Sequence, residues 1–236
     1  MNPMRSIAYV LLQLLITPPY ALLSLATFFL PRKGRYWVIS GWARMMIALA
    51  GPVLGIRYRV EGLENLPPGP AIILSKHQSA WETMAFQVIF PPQVHVLKRE
   101  LLWIPFFGWG LAMMSPIAIN RSKGTSALKR MAELGRQRFA QGFWIVVFPE
   151  GTRTSPGEQR PYQIGGAWLA HRLKAPVVPV AHNAGQCWPR NAFFKRPGVI
   201  TVRIGKPIDA SGLKADALNE QVRQWIEAEM VTLCQE

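Results

Sequence analysis

His77 is followed five residues later by an acid in the run Lys76-His77-Gln78-Ser79-Ala80-Trp81-Glu82. A carboxylate that bonds one imidazole nitrogen fixes the tautomer and raises the basicity of the other nitrogen, which makes a general base. The spacing sets a condition. On a continuous helix, residues five apart point about 140° away from each other and do not meet. If His77 ends a strand and Ser79 caps the helix that follows, the chain bends between them and Glu82 faces back to the ring. Judged by spacing alone, such a pair is more often structural than catalytic.

A base needs a nucleophile to deprotonate. The chain has no G-x-S-x-G elbow, and Cys187 and Cys234 stand far apart in no catalytic pattern. The expected nucleophile is therefore a substrate hydroxyl that attacks an activated acyl group directly. The two cysteines read as free thiols of a reducing compartment, and neither C-x-x-C nor H-E-x-x-H occurs, so a disulfide scaffold and a zinc enzyme are not expected. His95, His171 and His182 have no acid at a useful spacing and read as structural or surface residues.

Positioning these groups falls to a chain that changes character near residue 56. Beyond it, short apolar runs read as strands at Arg57–Val60, Ala71–Ser75, Val94–Leu97, Ile117–Ile119, Phe143–Phe148, Val177–Ala181 and Val199–Ile204. Helical periods lie between several of them. Leu128, Met131, Ala132, Gly135 and Phe139 share one helix face, and Leu218, Val222, Trp225, Ile226 and Leu233 share another. The alternation predicts an α/β domain over 57–236 with a mostly parallel central sheet flanked by helices. Ligands of such folds bind beyond the carboxyl ends of the strands. The polar clusters sit there: His77, Asn120-Arg121, and Glu150-Gly151-Thr152-Arg153.

Residues 1–56 read as a membrane-associated helical pair. Ser6 to Leu30 carries no charge, and as a straight helix it would reach roughly 38 Å against a hydrocarbon core of ~30 Å. Pro18 and Pro19 near its middle predict either one kinked span or two short pieces. A second apolar stretch, Trp37 to Ile56, carries only Arg44, and Arg32, Lys33 and Arg35 lie between the two. Trp37 and Trp42 suit an interface. A core helix of a soluble protein is the alternative; a signal peptide fits poorly because Leu30 leads into basic residues. The net charge of +14 suits an anionic membrane or a phosphorylated substrate. No RRM, KH or helix-turn-helix pattern points to nucleic acid, and nucleic acid is not expected as a partner.

Five blocks in order then resemble the glycerolipid acyltransferases, particularly the 1-acylglycerol-3-phosphate (lysophosphatidic acid) acyltransferases. His77 with Glu82 looks like the H-x4-D/E motif. Lys98-Arg99-Glu100-Leu101 with Pro105 and Gly108 is similar to K-x-E-L-x3-P-x2-G, and Ile119-Asn120-Arg121 to I-x-R. Phe148-Pro149-Glu150-Gly151-Thr152-Arg153 matches the FPEGTR block, and Val178-Pro179-Val180 the V-P-V block. The resemblance implies an acyl thioester donor, acyl-CoA or acyl-ACP, with no other cofactor and no metal. It implies His77 as base and Glu82 as its orienting acid, with Lys98, Arg121 and Arg153 on the acceptor phosphate. Glu150, Gly151 and Thr152 would line the glycerol site.

The sequence departs from that pattern at Glu82, where Asp is usual, and at Lys76, where Asn is common. The implied acceptor is lysophosphatidic acid, drawn from membrane lipids, with the catalytic domain on the cytoplasmic side of the inner membrane. Two rivals stand beside it: a related acyltransferase for another lyso-lipid or glycerol 3-phosphate, and a non-enzymatic basic membrane-surface protein.

Overall fold

The structure, a computed structural model, describes residues 3–120, 122 and 124–235. Seven strands form one sheet: β1 Ile56–Glu61, β2 Ile72–Ser75, β3 Gln93–Lys98, β4 Ile117–Ile119, β5 Trp144–Val147, β6 Val177–His182 and β7 Gly198–Ile204. Their order is β1-β7-β6-β2-β5-β3-β4, and all neighbours are parallel except β6 and β7. The mostly parallel sheet read from the sequence is present. Its central strands are near-continuous apolar runs because helices cover both faces. β2 and β5 are buried along their whole length.

Side chains alternate along each strand and so divide the core in two. Ile73, Val146, Val178 and Val180 face one side. It is covered by α1 Pro3–Ala26, α2 Arg32–Leu49 and α3 Trp81–Ile89. Ile72, Leu74, Ile145, Val147 and Val177 face the other. That side is covered by α5 Thr125–Ala140, α6 Gly165–Leu173 and α8 Ala215–Leu233. The short α4 Phe107–Met113 packs against α1 beside the open end of the sheet, and α7 is the single turn Ala184–Cys187.

The N-terminal pair resolves one of the sequence's alternatives. Pro18 and Pro19 do not split the first stretch: α1 runs through them. Cross-links to α2 hold the helix on either side, where Trp42 Nε1 donates to Thr17 Oγ1 at 3.1 Å and Tyr20 OH donates to the Val38 carbonyl at 2.6 Å. α1, and α2 together with its π-helical continuation to Leu54, are long and apolar enough to cross a membrane by length and composition. They differ in what they bury. Leu11, Leu14, Leu15, Leu22 and Leu23 of α1 are exposed, and so are Phe28 and Phe29 beyond it. In α2, by contrast, Ala43, Met46 and Ile47 pack in the same cluster as Ile73 and Val146 of the sheet. The helices that the sequence sets apart as 1–56 thus share a core with the sheet, because α2 covers one of its faces.

Candidate active site

The alternation that divides the core also sorts the residues after β2. Lys76 continues the row of Leu74 and points to the α8 side, while His77 continues the row of Ile73 and Ser75 toward α3. The chain then bends, and α3 starts at Trp81, whose N–H donates to Ser79 Oγ at 3.1 Å. That bend returns Glu82 to the ring: His77 Nδ1 lies 2.8 Å from Glu82 Oε1. The same oxygen accepts the N–H groups of Gln78 and Ser79 at 2.9 and 2.8 Å. Glu82 is fully buried and His77 is 15% exposed, so the imidazole is the part of the dyad that reaches the cavity. Phe148 stacks on the ring at 4.0 Å between centroids and sets its plane.

Burial alone would push the Glu82 carboxyl up. The His182 and His77 rings and the Ser79 N–H outweigh it and hold the carboxyl below its ordinary value. The acid is therefore ionised and accepts the Nδ1 proton, leaving Nε2 as the basic nitrogen. Glu82→Gln keeps the shape and removes the charge that supports an imidazolium. Its expected effect is a fall in kcat of at least about tenfold, smaller than that of losing the base itself. Steady-state rates at saturating substrate check this, and a wild-type kcat in the variant would rule out the dyad.

His182 has no acid at a useful spacing in the sequence, yet it belongs to the site. It ends β6, beside β2 in the sheet, and its Nε2 lies 4.0 Å from Glu82 Oε1 and 2.9 Å from the Lys76 carbonyl. Its Nδ1 faces the Ala184 N–H at 3.3 Å. One nitrogen donates and the other accepts, which is the neutral tautomer, and burial lowers its pKa in agreement. His182 thus holds the back of the dyad. The available signal was its place at the end of a strand next to the strand of His77.

Behind the base lies a buried ion cluster. Lys76 Nζ contacts Glu150 Oε1 at 2.6 Å and Glu227 Oε1 of α8 at 2.9 Å. Glu150 Oε2 accepts the His77 N–H at 2.9 Å, and the Thr154 N–H donates to the His77 carbonyl at 2.7 Å. Tyr162 OH donates to Glu227 Oε1 at 2.8 Å. This corrects one expectation. The Glu150 carboxylate is not on the wall of the cavity; it is turned inward, because the buried Lys76 ammonium requires a counter-charge there. Glu150 braces the peptide of His77.

The rest of the FPEGTR segment is on the wall. The Gly151 N–H donates to the Phe148 carbonyl at 3.0 Å, and Gly151 takes a positive φ of 71° that suits glycine in so tight a turn. The turn carries Gly151, Thr152 and Arg153 onto the cavity that His77 lines, where Lys98 joins them from the end of β3. Arg121 lies outside the described residues. The cavity is about 430 Å³, within the usual range of ligand pockets. Ala21, Ile39, Trp42, Met84, Val96 and Leu111 make most of it apolar, so α1 and α2 form part of its wall. Phe106, Phe107 and Met114 also line it, whereas the neighbouring Trp103, Trp109 and Met113 do not. His95 also lines it, and burial, helped by His77, pushes its imidazole down to about 4. Arg190, which no sequence signal singled out, stands at the same wall.

Comparison with known proteins bears on this arrangement. Residues 57–183 match the family described as Acyltransferase. The chain is 43% identical to the 1-acyl-sn-glycerol-3-phosphate acyltransferase of Pseudomonas aeruginosa, over 99% of this chain and 94% of that one. It is 31% identical to the mouse 1-acyl-sn-glycerol-3-phosphate acyltransferase alpha, over 76% of this chain and 66% of that one. Among solved structures, the 1-acyl-sn-glycerophosphate (LPA) acyltransferase PlsC from Thermotoga maritima superposes with a TM-score of 0.81. The match covers 98% of this chain and 95% of that chain at 21% identity, a likeness of fold.

Proposed function

We propose, from the premise that this chain belongs to the family of 1-acyl-sn-glycerol-3-phosphate acyltransferases, that it acylates the sn-2 hydroxyl of lysophosphatidic acid with a fatty acyl thioester to give phosphatidic acid. One observation carries the reading. A His–Glu dyad opens on an apolar cavity whose wall also holds Lys98 and Arg153. That combination suits a substrate with a long apolar chain, a hydroxyl and a phosphate.

The chemistry follows from the dyad. Nε2 of His77 takes the proton of the acceptor hydroxyl as its oxygen attacks the thioester carbonyl, and Glu82 supports the imidazolium that forms. The tetrahedral intermediate collapses with cleavage of the C–S bond. The proton held by His77 passes to the departing thiolate, which restores the base. Arg153 and Lys98 hold the acceptor phosphate through charge-assisted hydrogen bonds, and Thr152 and Gly151 border the glycerol. The apolar wall shared by α1, α2 and α4 takes the chain. The donor is acyl-CoA or acyl-ACP. The exposed leucines of α1 and the phenylalanines beyond it suit attachment to the cytoplasmic face of the inner membrane, where the acceptor resides.

Arg153→Ala tests the acceptor side. It is expected to raise KM for lysophosphatidic acid roughly tenfold or more and to leave KM for the acyl thioester nearly unchanged. Initial rates with each substrate varied in turn give both constants. An equal rise in the two would reduce Arg153 to a support of the fold and remove the phosphate from the reading.

A further inference from the structure

Arg190 follows α7 and lies outside every block of the family pattern. Its Nη1 donates to the carbonyl of Arg153 at 2.6 Å, and its side chain lines the cavity with Arg153, Thr152, Lys98 and His77. Among the described residues no ion pair joins Arg190 to a carboxylate. The acid that feels its charge, Glu158, is engaged by Arg160 at 2.6 Å and by the Ser155 N–H at 2.9 Å. The segment that carries Arg190 is tied down. The Arg196 N–H donates to the Cys187 carbonyl at 2.8 Å, and the Lys195 N–H donates to Ser6 Oγ of α1 at 2.9 Å. A guanidinium has five donors in a planar fork, and one is used on the Arg153 carbonyl. The others remain for an oxyanion on the wall that His77 shares.

We propose that Arg190 is a phosphate-binding residue of this site, closing around the same phosphate as Arg153. The inference rests on the acyltransferase reading above. Both substrates carry phosphate esters, so the chemistry has two sources: the acceptor's phosphomonoester and the phosphates of a coenzyme A donor. The link to Arg153 and the attachment of the segment to α1 favour the acceptor, which arrives along the membrane helices.

The test uses the full chain in detergent, with Arg190→Met and Arg190→Lys. Rates are measured with lysophosphatidic acid and acyl-CoA each varied. Binding of lysophosphatidic acid, of monoacylglycerol and of acyl-CoA is measured by calorimetry in a His77→Ala background, where turnover does not interfere. Arg190→Met is expected to raise KM and Kd for lysophosphatidic acid roughly 10- to 100-fold, with kcat, donor KM and monoacylglycerol binding little changed. Arg190→Lys is expected to fall between, and it carries the test if Arg190→Met does not fold. A rise confined to acyl-CoA would overturn the sharing of Arg153's phosphate and place Arg190 on the donor's phosphates instead. No change in any constant, or equal losses for lysophosphatidic acid and monoacylglycerol, would overturn the proposal. Wild-type protein that does not acylate lysophosphatidic acid would refute the proposed function instead, and the acyl-CoA binding arm would still read Arg190.

Discussion

His77→Ala is expected to lower kcat by about 10²–10⁴, the usual contribution of a positioned general base. No cysteine or serine elbow supplies a nucleophile of the protein's own. Without the imidazole, the acceptor hydroxyl must attack with its proton still in place. The substitution removes a side chain at the edge of the cavity, and the buried Glu82 still accepts the Gln78 and Ser79 N–H groups. The thermal midpoint should therefore stay near that of the wild type, and KM for either substrate should change little. Turnover at saturating substrate, together with a melting curve, checks both parts. Near wild-type turnover in a folded variant would remove His77 as the base.

Lys76→Met is expected to cost stability on the order of 3–5 kcal/mol, as breaking a buried ion pair does by leaving uncompensated charge. Glu150 and Glu227 then face each other across a buried site without their ammonium. The sign with pH follows. Burial already raises the Glu150 carboxyl in the intact protein, and loss of Lys76 raises it further. A carboxyl with a folded value above its unfolded value binds more protons when folded, so stability rises as pH falls. The deficit of Lys76→Met should be largest near neutral pH and shrink as pH falls through the carboxylate range. Turnover should fall as well, because Glu150 holds the N–H of His77. Urea denaturation across pH checks the first part. A deficit independent of pH would show that packing, and not charge, is what Lys76 supplies.

Much of this was legible in the sequence, for physical reasons particular to each piece. The central strands announced themselves as apolar runs, since a sheet covered on both faces needs them, whereas β1 at the edge is mostly exposed. The dyad was legible because both partners lie within five residues and Ser79 marks the bend between them. The surroundings of the dyad were not legible, because they are made by distant chain. Glu227 meets Lys76 across 151 residues and Gln78 meets Gly185 across 107. His182 reaches Glu82 only because β6 lies beside β2 in the sheet. Glu150 shows the limit of a motif: its block reaches the cavity, but the turn after β5 and the Lys76 charge take its own side chain away. The role of α2 was hidden too, since an apolar helix reads alike whether it meets lipid or a sheet.

The most direct measurement incubates the purified full chain, in detergent or vesicles, with an acyl thioester labelled in its acyl group and with unlabelled lysophosphatidic acid. The product is then identified and cleaved with a phospholipase specific for the sn-2 ester. The expected result is phosphatidic acid whose label is released by that cleavage, formed by the wild type and not by His77→Ala. Label transferred instead to a lyso-lipid without a phosphomonoester, or phosphatidic acid formed equally well without His77, would contradict the account.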